Sequence, residues 1–318
     1  MTKLINHHSL IIVIVMLALA HWGLIACTKK TPKLPIEKRK VEIVATTGMV
    51  TDMVKAIGKD RIVIKGLMGP GVDPHLYRAS AGDVQKLENA DLIFYNGLQL
   101  EAKLGELFEK MGPKAVAIAS QIPEKDLLQS DNFQGHPDPH IWFDVTLWLK
   151  CVPVVEAALR ELDPQSALYY RENAKAYIEK LQALHKQVMT ITDTLPQKDR
   201  VLVTAHDAFG YFGKAYGFEV IGLQGISTES EAGTKDVQDL ANLIVNRKIK
   251  AIFVETSIPK RTLQAVQESA KAKGWPLKIG GELFSDAMGN PDTEEGTYIG
   301  MVLHNIQTIV SGLKPNDL

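Results

Sequence analysis

Between Pro164 and Pro196 the chain contains neither proline nor glycine. Apolar residues recur there at Leu168, Tyr169, Ala176, Tyr177, Leu181, Leu184 and Val188, near helical spacing. Asp163-Pro164 offers an N-cap and a first turn that tolerates proline. The pattern predicts one helix over 164–192, roughly 43 Å long at 1.5 Å per residue. A rod of that length is too long for a hinge between two small domains. It divides the 318 residues into two comparable halves.

Each half alternates short β-branched runs with amphipathic ones. Strands are predicted at 41–45, 61–67, 91–95 and 114–119, then at 200–205, 218–222, 251–255 and 277–281. Helices are predicted near 49–57, 80–88, 101–111, 208–216, 234–247, 259–273 and 295–311. Alternating β and α units imply parallel sheets covered by helices on both faces, an α/β fold. A weak repeat runs through the halves. Val44-Ala45-Thr46-Thr47 aligns with Val203-Thr204-Ala205-His206 at a constant offset of 159, and the match continues to Gly58 and Gly217. Either the halves are related or two βαβ units coincide by chance. Hydrophobic residues make up 45% and charged residues 23%, enough for a packed core. A net charge of −1 gives no reason to expect nucleic-acid binding.

The N-terminus reads as an export signal. Lys3 precedes an apolar run over 10–20, followed by Leu24-Ile25-Ala26-Cys27. An uncleaved anchor of about 18 residues is the alternative. Either way the body lies outside the cytoplasm. Residues 28–35 are polar and contain proline, a tether. The other cysteine, Cys151, falls in an apolar helical stretch, where a buried inert thiol is expected.

Four scattered segments carry metal-type ligands. They are Gly71-Val72-Asp73-Pro74-His75, Asp138-Pro139-His140-Ile141-Trp142-Phe143-Asp144, Thr204-Ala205-His206-Asp207-Ala208-Phe209 and Leu283-Phe284-Ser285-Asp286-Ala287-Met288. Each is read as following a strand, where open α/β sheets place ligands. Taken singly, each histidine has an ordinary reading: a solvated loop group, a core residue beside aromatics, a strand-end residue. Asp286 alone reads as a turn cap. Together, three imidazoles and a carboxylate suit a divalent transition metal.

The four phrases, in this order, resemble the TroA-like family of metal-binding lipoproteins that serve bacterial manganese, zinc and iron ABC transporters. The resemblance runs over 40–312. It implies ligands at His75, His140, His206 and Asp286, lying between two α/β lobes joined by one rigid helix. It implies a lipobox at Leu24-Ile25-Ala26-Cys27, with cleavage before Cys27 and a lipid on it. The expected organisation is a signal peptide (1–26), a tether (27–39), an N-terminal lobe (40–162), a linking helix (163–195) and a C-terminal lobe (196–318). The expected function is capture of one Mn²⁺, Zn²⁺ or Fe²⁺ ion by a lipid-anchored monomer outside the cytoplasm, and its delivery to an ABC permease. Some manganese members carry Glu where this chain has His206, and dedicated zinc members often carry a His-rich loop before the second ligand. Here that loop holds only His136 before His140. The balance leans to Mn²⁺.

His136 is left outside the ligand set, because Pro137 and Pro139 exclude a helix that would give it the face of His140. Asp73, Asp138, Asp144 and Asp207 are candidates to orient the imidazoles, though Asp-Pro turns are the preferred reading of Asp73 and Asp138. A metal-dependent hydrolase is the rival function, since a His₃Asp set can hold a hydrolytic metal. No nucleophile elbow or phosphate loop accompanies it. A surface adhesin is a third reading. With ordinary histidine pKa values near 6.5, acid release of metal is expected below roughly pH 6.

Overall fold

The computed structural model describes residues 33–130, 133 and 135–314. The expected signal peptide and Cys27 lie outside the described residues. The chain divides into two compact units, 1–39 and 40–318. Within the first, the described residues form a short 3-10 turn, Ile36–Lys38. The second carries all the named strands.

Its first half runs β1 (Val41–Ala45), α1 (Gly48–Gly58), β2 (Ile62–Gly66), α2 (Ala81–Asn89), β3 (Leu92–Tyr95), α3 (Gly105–Met111) and β4 (Ala115–Ala117). The strands form one parallel sheet in the order β2-β1-β3-β4. In β1, Val41, Ile43, Val44 and Ala45 are all buried, as a central parallel strand covered on both faces requires. Ser80 and Asp83 open α2 with a reciprocal capping box. β4 is shorter than its apolar run predicts, because the chain turns into a 3-10 helix at Ile118–Gln121.

Two helices follow, α4 (Val145–Leu162) and α5 (Ala167–Thr192). The long helix is present, and its 26 residues span about 39 Å. Two details differ from expectation. Asp163 does not cap the first turn. Its buried carboxylate instead accepts from Arg61 Nη2 at 2.8 Å and Tyr170 Oη at 2.9 Å, tying the start of the linking segment to the first half. The buried face of α5 is Tyr170, Asn173, Ala174, Tyr177, Leu181, Leu184 and Val188, while Leu168 and Ala176 are exposed. Asn173 earns its buried place by donating to the Ile57 carbonyl at the end of α1. Cys151 is fully buried in α4, as expected, and burial pushes its thiol pKa up.

The second half runs β5 (Val201–His206), α6 (Gly210–Tyr216), β6 (Glu219–Gln224), α7 (Thr234–Arg247), β7 (Ala251–Glu255), α8 (Arg261–Ala272), β8 (Lys278–Leu283) and α9 (Tyr298–Leu313). β5 pairs with β6 and β7 with β8, all parallel, and β5 lies beside β7. The strands form two two-stranded sheets, β5-β6 and β7-β8, with β5 and β7 as neighbours, and the 159-residue offset places β1 on β5 and α1 on α6. The architecture is therefore α/β, with parallel sheets flanked by helices in two lobes on either side of α5. Each lobe has its own apolar core, around Ile93 and Leu87 in the first and Ile252 and Val266 in the second. Among the described residues, no helix is long and apolar enough to cross a membrane.

Candidate metal centre

His75, His140, His206 and Asp286 converge in one buried cluster, with one ligand atom of each lying within 4.8 Å of all the others. The chain reaches it by four routes. His206 is the last residue of β5. Asp286 follows the end of β8 by three residues. His75 lies in the loop after β2, beyond a turn that Gly71 enters with φ +71°. His140 follows no strand, contrary to the sequence reading. Among the described residues between Ile118 and Pro139 there are only 3-10 turns and one isolated bridge, Gln129 to Pro137. Prolines at 123, 137 and 139 remove backbone donors that a ladder would need.

Asp286 is the hub. Its Oδ2 lies 3.3 Å from His206 Nε2 and 3.6 Å from His75 Nε2, and its Oδ1 lies 3.4 Å from His140 Nε2. His75 Nε2 and His140 Nε2 are 3.3 Å apart. A tetrahedral ion with bonds of about 2.0–2.1 Å holds its ligand atoms about 3.3–3.4 Å from one another. These four separations lie near that edge, and the remaining pairs of ligand atoms lie within 4.8 Å. His206 Nε2 and both Asp286 oxygens are buried without a hydrogen-bond partner. Such groups are rare in folded proteins, and one divalent cation would satisfy all three.

Two of the three imidazoles are oriented by carboxylates. Asp138 Oδ1 accepts from the His140 backbone N–H at 2.9 Å and lies 2.7 Å from its Nδ1. Glu255, at the end of β7, accepts from the Ala205 and His206 backbone N–H groups through Oε1 and lies 2.6 Å from His206 Nδ1 through Oε2. Both contacts hold Nδ1 as the donor and turn Nε2 toward Asp286. His75 has no such carboxylate on its ring. Asp73 instead accepts from its backbone N–H at 2.9 Å.

The electrostatics follow this division. Burial alone would lower the pKa of His140, but Asp138 and Asp286 outweigh it and raise the value to about 9. Burial is likewise outweighed at His206, where Glu255 and Asp286 raise the pKa well above the ordinary value. Burial lowers that of His75 to about 3, against a weaker pull from Asp286. Burial works against ionisation of Asp286 too, yet the His206 and His140 contacts hold its pKa well below the carboxylate range. The carboxylates beside His140 and His206 thus favour the protonated imidazoles, and metal binding competes with those protons.

With this geometry in place, the comparisons are decisive. Residues 43–312 match the family described as the periplasmic zinc-uptake complex component A, ZnuA. The chain belongs to that family. It is 52% identical over 273 residues to the zinc-binding protein TroA of Treponema pallidum, covering 85% of this chain and 88% of TroA. It is 47% identical over 278 residues to the manganese-binding lipoprotein MntA of Bacillus subtilis, covering 87% of this chain and 90% of MntA. The solved periplasmic zinc-binding protein TroA from T. pallidum superposes with a TM-score of 0.85 at 51% identity, over 87% of this chain and all of that one (100%). Fe(III)-bound YtgA from Chlamydia trachomatis gives 0.79 at 27% identity, over 88% and 100%. These are binding components of transport systems, not enzymes.

Within this ZnuA-family chain, the sequence reading of the surrounding acids needs revision. Asp138 makes the expected Asp-Pro turn and also orients His140. Asp73 makes the turn, and its Oδ2 accepts from Thr228 Oγ1 at 2.6 Å. Asp144 caps α4 through the Thr146 N–H and has no bond to a ligand. Asp207 is pushed up in pKa chiefly by burial and makes no hydrogen bond to an imidazole among the described residues. Glu255 was missed. It stands 49 residues from His206, and the only local signal is an acid closing the apolar run Ala251-Ile252-Phe253-Val254. His136 stays outside the cluster, on the wall of a cleft of about 250 Å³ that also touches His75, Phe133, Ser227 and Glu229.

Proposed function

We propose that this chain captures one divalent transition-metal ion outside the cytoplasm and delivers it to an ABC permease for import, as a monomer held at the membrane by lipid on Cys27. His75, His140, His206 and Asp286 are the ligands. The observation that carries this reading is the buried convergence of three imidazole nitrogens on a carboxylate whose oxygens have no other partner. The family membership and the names of the relatives, a zinc-binding TroA and a manganese-binding lipoprotein MntA, support it.

Mn²⁺ is the proposed cargo, with Zn²⁺ its nearest competitor and Fe²⁺ a third. Both Asp286 oxygens face the imidazoles, so the site offers five donors, one more than a closed tetrahedral zinc site uses. Hard carboxylate oxygen suits Mn²⁺. Because Zn²⁺ binds nitrogen and oxygen sites more tightly than Mn²⁺ in general, affinity measured in vitro does not name the cargo. Metal analysis of the protein purified from its native envelope does. One equivalent of manganese is expected, with no hydrolysis of ester or phosphate substrates. Stoichiometric zinc or iron would reassign the cargo, and a chain isolated without metal that also fails to take it up would defeat the reading.

A further inference from the structure

The four ligands are not held alike. The His140 segment, although it precedes the linking helix, is bonded to the second half at three places. Tyr211 Oη donates to the Asp138 carbonyl at 2.8 Å, Trp142 Nε1 donates to the Ser285 carbonyl at 3.0 Å, and Tyr298 Oη donates to the Trp142 carbonyl at 2.7 Å. All three are buried, and the second runs directly to the neighbour of Asp286. Stacking of Phe143 on Phe209 at 4.1 Å adds a fourth tie. His140, His206 and Asp286 therefore sit on one cross-braced frame.

The His75 loop, residues 67–79, is different. Its apolar side chains Met68, Val72 and Tyr77 pack into the core of the first half. Apart from contacts between ligands, one hydrogen bond joins it to the second half among the described residues: Thr228 Oγ1 to Asp73 Oδ2, 2.6 Å. Thr228 is only 6% exposed and lies in the loop between β6 and α7. The other oxygen of Asp73 holds the His75 backbone N–H. Of the four ligands, only His75 lines the outer cleft.

We infer that Thr228 is a positioning residue for metal retention: through Asp73 it latches the His75 loop across the interlobe cleft, and so sets how fast a bound ion leaves. The inference rests on the proposed metal site. An ion held by the frame and by His75 escapes when the His75 arm swings away. The arm is the one ligand-bearing segment whose attachment to the frame is a single side-chain bond. Losing a buried hydrogen bond to a charged acceptor corresponds to about tenfold or more in rate or equilibrium. Asp73 is also left without the donor that its desolvated carboxylate uses.

The experiment is stopped-flow release of Zn²⁺ and of Mn²⁺ into excess chelator from the full chain. Wild type is compared with Thr228→Val, which keeps the shape and removes the donor, Thr228→Ser, which keeps the donor, and Asp286→Ala. Thr228→Val should bind one ion per chain, remain folded without metal, and release metal about tenfold faster. Thr228→Ser should release at close to the wild-type rate. An unchanged rate in Thr228→Val, or equal acceleration in both Thr228 variants, overturns the latch while leaving the site intact. Full metal retention by Asp286→Ala overturns the site reading itself, and the latch with it.

Discussion

The His140 segment and the His75 loop each deliver one imidazole to the same cluster, yet they are built on opposite plans. His140 is fixed from every side: Asp138 holds its ring, and three buried hydrogen bonds fasten its backbone to the second half. His75 has no carboxylate orienting its ring as Asp138 and Glu255 orient the others, lines the cleft, and, contacts between ligands aside, its loop is joined to the second half among the described residues by one hydrogen bond, from Thr228. The difference separates affinity from exchange. On the proposed reading, a rigid frame of His140, His206 and Asp286 would define the ion's position, whereas one loosely tethered arm could open without dismantling that frame. A carrier needs both properties, since it must hold its cargo and then give it up.

The sharpest way to break this comparison is to remove one member of each class. Asp286→Ala should abolish measurable metal binding and also destabilise the metal-free fold by about 3 kcal/mol, because it breaks a buried charge cluster. His75→Ala should weaken metal binding strongly but lower metal-free stability by about 1 kcal/mol or less, since no buried bond beyond the ligand cluster ends on its ring. Thermal melts with chelator and with added metal read both quantities. Equal metal-free stabilities for the two variants would contradict the frame-and-arm division.

The next effect is that of pH. The folded pKa of His140 is raised to about 9. Its proton therefore stabilises the metal-free fold fully below about 6.5, the unfolded value, and that contribution is lost as pH rises through about 9. Asp138 and Asp286 oppose deprotonation, and burial favours it. Metal affinity should rise by about tenfold per pH unit for each displaced proton, and the rise should continue toward pH 9. This places proton competition well above the pH 6 expected from unperturbed imidazoles. His75, held near 3, should release no proton. Calorimetric titrations in buffers of different ionisation enthalpy count the protons; a flat affinity from pH 6.5 to 9 would refute the protonated frame.

Glu255→Gln and Asp138→Asn should each weaken metal binding by about 10–100-fold, measured by competition with a chromophoric chelator. A loss at only one of them would show that the two imidazoles are not held alike. The smallest effect belongs to the Lys103–Glu229 contact. It joins the first half to the Thr228 loop, but its side chains are 30% and 45% exposed. Glu229→Gln should change the metal release rate by less than about threefold, since exposed ion pairs contribute roughly 0–1 kcal/mol. A larger change would mean that the latch is shared.

Much of this was legible in the sequence. The alternation of apolar runs located the eight named strands and most of the α-helices among the described residues, because strand and helix periods leave a local imprint. Val41–Ala45, Ala251–Glu255 and Thr234–Arg247 have the predicted bounds. The long helix announced itself by the absence of proline and glycine. Two of its recurring apolar positions, Leu168 and Ala176, are exposed, while polar Asn173 is buried and answers the Ile57 carbonyl 116 residues away. The four clustered residues were visible as phrases. Of their positioning partners, Asp138 was visible beside His140, while Glu255 and Thr228 were not, since they act across 49 and 155 residues and only tertiary structure brings them near. The irregular path to His140 was read as a strand end because the Asp-Pro-His phrase resembles the one at His75.

The central claim is that one ion sits among His75, His140, His206 and Asp286. X-ray absorption on the zinc-loaded full chain tests it most directly. The account predicts a first shell of three imidazoles and carboxylate oxygen at about 2.0–2.2 Å with no sulfur, reduced to two imidazoles in His75→Ala. A sulfur scatterer near 2.3 Å, or a shell unchanged in His75→Ala, would contradict it.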